Sequence, residues 1–135
     1  MTAAGATEHA NALRMRSVAE AVARGDVPAA LEHFPEDVVW YWPADAGEYR
    51  VYRGRDGLAR FFGRLAERSN GTMRPEVVDV LGSDEHVVIF LRITAERGDE
   101  RLDARVAHFA AARPDGFAHN WFLPSDTAAW NRFFG

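Results

Sequence analysis

Histidine carries most of the proton chemistry this chain can offer near neutral pH. The sequence holds five, at positions 9, 33, 86, 108 and 119, and contains neither cysteine nor lysine. Their absence excludes thiol nucleophiles, thiolate metal sites, Schiff bases and lysine general bases. The four serines, Ser17, Ser69, Ser83 and Ser125, sit in no Gly-x-Ser-x-Gly elbow. Catalysis is left to His, Asp, Glu, Tyr or bound water. His9, His33 and His86 stand in polar surroundings or at element ends, where surface roles are expected. His108 and His119 stand in two consecutive runs that alternate like strands, and an imidazole there can act as an acid or a base that titrates at about pH 6–7. The alternative for His108 is a core histidine satisfied by a backbone carbonyl or a tyrosine. A zinc site built on the pair needs at least one further ligand. None stands near it, so neither a metal nor any other cofactor is expected.

Whether the two histidines meet depends on the strands that carry them. In 87–95 the odd positions are Val87, Ile89, Leu91, Ile93 and Ala95, and in 102–110 the even positions are Leu102, Ala104, Val106, His108 and Ala110. A period of two puts each set on one face, so His108 belongs to the apolar, inner side of a sheet. Pro114-Asp115-Gly116 reads as a tight turn. A two-residue loop there sets His108 opposite Trp121, with His119 a diagonal neighbour on the same face. A further strand, 37–42, presents Trp40 and Trp42 on one face and Tyr41 on the other before Pro43 ends it.

The remaining elements precede or flank these strands. A helix is expected over 8–24, with Leu13, Ser17, Val18, Ala21 and Val22 on its inner stripe and Gly25 as its stop. A second spans 27–34 behind the cap Asp26. Residues 44–55 read as a loop, with Asp45, Glu48, Tyr49 and Tyr52 in it. A third helix, 56–68, is expected to be capped by Asp56 and to bury Leu58, Phe61, Phe62 and Leu65. Strands follow at 74–81, 86–96, 102–112 and 117–124, and a short last helix starts at Asp126. Helices first and antiparallel strands after them indicate an α+β fold, with residues 1–7 disordered and 8–135 forming one domain. The net charge of −4 and the mixing of arginines with acids exclude a nucleic-acid surface. No run of apolar residues is long enough to span a bilayer and the N-terminus lacks signal-peptide features, so a cytoplasmic protein without membrane contact is expected.

The run GDVPAALEHFPEDVVWYWP, then YRGRDGLARFFGRL, then RPDGFAHNWFLPSD resembles a SnoaL-like domain of the nuclear transport factor 2-like (ketosteroid isomerase-like) superfamily. The resemblance implies a cone, in which three N-terminal helices and a strongly curved antiparallel or mixed sheet enclose a pocket. It also implies a homodimer through the outer sheet face. Ketosteroid isomerases, polyketide cyclases and limonene epoxide hydrolases share that fold. By the same resemblance the isomerase general-base Asp falls on Trp42, its two tyrosines fall near Val18 and Phe62, and its protonated Asp aligns with His108. The epoxide hydrolase Asp–Arg–Asp set and the cyclase inner Asp have no counterpart here. The expectation is a small-molecule enzyme of isomerase, cyclase or dehydratase type acting on an apolar, ring-containing metabolite. His108 and His119 are its acid/base pair, and Trp40, Trp42, Phe62, Ile89, Leu91, Val106, Trp121 and Leu123 wall the ligand. The alternative is a non-catalytic ligand-binding or dimerisation domain with the same cone. A water-activating hydrolase would need an inner carboxylate, and the inner faces show none.

Overall fold

The computed structural model describes residues 8–43 and 49–135; residues 1–7, Asp45 and Glu48 lie outside the described residues. The chain runs α1 (Ala10–Ala23), α2 (Val27–Leu31), β1 (Val39–Pro43), β2 (Tyr49–Arg53), α3 (Gly54–Arg68), β3 (Arg74–Gly82), β4 (His86–Arg97), β5 (Glu100–Arg113), β6 (Gly116–Pro124) and α4 (Thr127–Phe134). Local chemistry sets many of these limits. The His9 ring accepts from the backbone N–H of Asn11 and caps α1, while Asp26 and Asp126 accept from Ala29 and Ala129 and cap α2 and α4. Gly25, at φ +74°, ends α1. The stripe buried by α1 is Ala12, Met15, Val18, Ala19 and Ala21. Leu13, expected inside, is 50% exposed, because the helix is rotated by about one residue from the sequence reading.

Two further expectations are corrected. α3 starts at Gly54, with Arg53 as a cap that makes no side-chain bond, and Asp56 lies in the first turn. There its charge faces the helix dipole without closing a cap. The supposed loop after β1 contains β2, an edge strand antiparallel to β1. Its alternation is blurred because arginines occupy both faces and Val51 points outward, 40% exposed.

The six strands form one curved sheet in the order β2-β1-β6-β5-β4-β3, with β1 and β6 parallel and every other pair antiparallel. This is an α+β cone: the helices cover the concave face, and the core between them holds Trp40, Phe61, Leu58, Ile89, Ile93 and Trp130. Val87, Ile89, Leu91, Ile93 and Ala95 are buried as their alternation requires. Among the described residues, no helix is long and apolar enough to cross a membrane.

The decisive irregularity is in β6. Arg113 pairs with Gly116, so the turn does have two residues, Pro114 and Asp115. Ala112 then pairs with Phe117, but Ala111 pairs with His119. Ala118 is the extra residue of a β-bulge, and from there on β6 is shifted by one against β5. A one-residue shift exchanges the faces of every following side chain. Gly116 anchors the hairpin beside α2. At φ +136°, a Cβ on it would lie 2.5 Å from the His33 carbonyl oxygen, which accepts from Phe117 N at 3.0 Å.

Candidate functional site

The bulge decides what faces His108. Its partner across the ladder is Phe122, and Asn120 is the diagonal neighbour. His119, Trp121 and Leu123, expected inside, emerge on the convex face. His119 is exposed there, Leu123 is 39% exposed, and Trp121 stacks on Tyr41 at 5.3 Å. The two histidines are therefore on opposite sides of the sheet, and no His108–His119 pair exists in one pocket.

His108 is 3% exposed and has one hydrogen-bond partner among the described residues, Oδ1 of Asn120 at 2.9 Å. The direction of that bond follows from the rest of the network. The Asn120 amide nitrogen donates to the carbonyls of Phe117 at 3.0 Å and Val39 at 3.3 Å, and carbonyls only accept. Oδ1 must then be the acceptor, so Nε2 of His108 carries the proton and donates. The other ring nitrogen, Nδ1, keeps a free lone pair. Burial pushes the pKa of His108 down from 6.5 to about 4, with the Asn120 hydrogen bond opposing in part. The imidazole is thus neutral at pH 7, and a step at about pH 6–7 from this residue is not expected. Asn120 went unnoticed in the sequence because the unbulged register hides it on the wrong face.

The ring borders a cavity of about 40 Å³, lined also by Trp40, Phe61, Phe62, Phe122, Ile89 and Leu91. That exceeds the roughly 10–15 Å³ one water needs and falls well short of the roughly 150 Å³ that holds benzene. Met15 and Val18 of α1, and Met73 just before β3, also line it. Of the expected ligand wall, Trp40, Phe62, Ile89 and Leu91 border this space. Trp42 and Val106 are buried but do not. Trp42 stacks on Phe122 at 5.2 Å, lies 5.2 Å from Trp130, and donates its indole N–H to Asn131 Oδ1 at 3.3 Å. It is a core strut beneath α4. Trp40 lies 4.6 Å from the imidazole, and its indole N–H has no hydrogen-bond partner among the described residues. Phe61 and Phe122 are cavity residues that sequence reading left in the core or on the wrong face. Among the described residues, no three His, Asp or Glu side chains converge to hold a metal.

Two stability predictions follow from this network. Asn120→Ala leaves the buried Nε2–H of His108 without its partner and removes the side-chain donor from the carbonyls of Val39 and Phe117, and is expected to cost about 3 kcal/mol in urea unfolding. The depressed pKa of His108 makes stability pH-dependent. Between pH 6.5 and about 4 the unfolded chain binds a proton that the folded chain does not. The contribution is intact above 6.5 and falls with pH, by roughly 3 kcal/mol once pH 4 is reached. His108→Gln, which keeps a donor for Asn120, should remove that part of the slope.

Comparison with known proteins places this geometry in context. The SnoaL-like domain model matches residues 15–118. The uncharacterized protein Rv0034 of Mycobacterium tuberculosis is 32% identical over 102 residues, 75% of this chain and 78% of its own length. Among solved structures, Bal32a from a soil-derived mobile gene cassette superposes with a TM-score of 0.84 at 28% identity, covering 93% of this chain and 96% of its own. TerC, co-crystallised with polyporic acid, superposes with a TM-score of 0.78 at 18% identity, covering 92% and 97%. At that identity it shares the fold.

Proposed function

The chain belongs to the SnoaL-like domain family, and on that premise we propose that it is a small-molecule enzyme of isomerase, cyclase or dehydratase type whose base is His108. One observation carries the reading. A buried imidazole lines an apolar cavity with Nε2 fixed on Asn120 and Nδ1 unpartnered. At neutral pH the ring is uncharged, with Nδ1 unprotonated, so its first act is to accept a proton there, from a hydroxyl or from a C–H beside a carbonyl. The burial that lowers its pKa penalises an isolated imidazolium. Proton transfer from a ligand creates an imidazolium–anion pair instead, and in a poorly solvated cavity their attraction offsets that penalty. The unsatisfied N–H of Trp40 supports a ligand that also brings an acceptor. His119, exposed on the convex face, takes no part in this step.

The test is exchange of the α-hydrogens of 4-phenylbutan-2-one, whose narrow methyl-ketone end needs far less room than a ring, in D2O, followed by proton NMR. The wild type should accelerate exchange over buffer, and His108→Gln should return it to the buffer rate. Binding of the ketone without any exchange supports the second reading, a ligand-binding domain without catalysis. The absence of a carboxylate from the cavity lining, among the described residues, favours that alternative.

The convex face supports a homodimer. Val78, Leu81, Phe90, Phe109 and Leu123 are between 37% and 60% exposed, and contiguous apolar surface of this kind marks an interface. Phe90→Arg with Leu123→Arg is expected to convert a dimer into a monomer in analytical ultracentrifugation, with the fold retained.

A further inference from the structure

The cavity behind His108 adjoins a larger one. An outer chamber of about 340 Å³ lies between the C-terminal ends of α1 and α3 and the segment 71–74. Val22, Phe62 and Met73 line both spaces and so form their common wall. Small-molecule sites span about 300–1,000 Å³; the outer chamber reaches that range and the inner one does not. A ligand that touches His108 must therefore keep most of its body outside this wall.

The outer chamber differs in charge from the inner. Its charged lining is Arg24 and Arg74, and no carboxylate borders it among the described residues. Arg24 has Asp26 at 3.8 Å, beyond hydrogen-bonding distance. Arg74 makes no ion pair among the described residues, and its guanidinium donates to the carbonyls of Gly71 at 3.2 Å and Met73 at 3.0 Å. By contrast, Arg16, Arg92 and Arg113 each hold a carboxylate at 2.6–2.7 Å. The two helix ends oppose the arginines with about half a negative charge each. Their carbonyls are largely taken up, since Ala21 and Val22 accept from Asp26 and Gly25, and Ala66 and Glu67 accept from Gly71 and Asn70. Two full positive charges exceed two such partial ones, and the mouth attracts anions.

Resting on the reading of the His108 cavity as a ligand site, we infer that the ligand is an amphiphilic organic acid whose anionic group is held by Arg24 and Arg74 while its apolar body passes Phe62 and Met73 toward His108. The arginines fix which end enters. An acid head left at the mouth leaves the uncharged end to reach Nδ1, which a charged group could do only by desolvating itself beside apolar rings.

Isothermal titration of the full chain at low salt with octanoate and octan-1-ol tests this, because the two share one narrow apolar chain. The acid should bind about tenfold tighter, and the preference should shrink in salt on the order of 0.5 M. In Arg24→Gln/Arg74→Gln the preference should fall within about twofold while the alcohol binds as before. Both side chains are exposed, so this variant keeps the fold. The control Arg60→Gln/Arg132→Gln, which removes two exposed charges elsewhere, should keep the full preference. Equal affinities of acid and alcohol for the wild type overturn the inference and leave the cavity reading standing. A preference that survives in the Arg24/Arg74 variant, or is lost in the control, overturns the assignment to these arginines. No binding of either probe overturns both.

Discussion

Replacing Trp40 with alanine is expected to destabilise the protein by about 4 kcal/mol or more, a large share of the roughly 5–15 kcal/mol that holds a typical domain together. The indole is 2% exposed and lies 4.6 to 6.0 Å from five rings, those of Phe34, Phe61, Phe62, His108 and Phe122. Each such pair adds to area burial by about 0.5–1.5 kcal/mol, and the neighbours come from α3, β5, β6 and the segment before β1, so no single shift can close the void. The void would also merge with the existing 40 Å³ cavity, admit water to the imidazole, and let the pKa of His108 climb back toward 6.5. Urea unfolding measures the first effect, and Trp40→Phe should recover more than half of the loss. A cost below about 1 kcal/mol for Trp40→Ala would contradict the placement of this ring at the centre of the core.

Phe62→Ala is expected to have the largest effect on binding. The ring is 7% exposed and belongs to the wall between the two chambers. Removing it turns a space for water and a separate outer chamber into one site continuous from Arg24 and Arg74 to His108. Naphthalene-2-carboxylate, followed through quenching of tryptophan emission, should bind about tenfold tighter or more, with a faster association rate. The same change costs about 3 kcal/mol of stability, because the ring also packs on Trp40 at 5.8 Å and Phe61 at 5.6 Å. Phe62→Trp should act in the opposite direction and slow association. Unchanged affinity and rate in Phe62→Ala would show that ligands reach the cavity by another route.

Much of this arrangement is written in the alternation of the strands. The odd positions of β4 and the even positions of β5 have one strongly apolar set each, so the inward placement of His108 follows from counting by two. The same counting puts Trp40 and Trp42 together. β6 is different because its two sets are nearly matched. Phe117, His119, Trp121 and Leu123 make one, Ala118, Asn120, Phe122 and Pro124 the other, and each contains one polar member. The strand does not reveal its own inner face, and the choice falls back on the register carried over from the turn. That register is correct at Arg113–Gly116 and is lost at Ala118, where nothing local distinguishes a bulged alanine from a paired one. A single unpaired residue thus replaced His119 and Trp121 by Asn120 and Phe122 beside His108. The volume of the cavity lies beyond sequence reading for another reason, since it is the small remainder left when large rings from β1, β6 and α3 pack together.

The neutral, Asn120-held state of His108 is tested most directly by a long-range proton–nitrogen correlation spectrum of the imidazole ring through a pH titration. The network requires the Nε2–H tautomer, with Nδ1 unprotonated from neutral pH downward until protonation sets in at about 4. Addition of a binding acid should then move the Nδ1 resonance while Nε2 stays on Asn120. An Nδ1–H tautomer, or a titration midpoint near 6.5, would contradict the proposal that this ring is the buried base of the cavity.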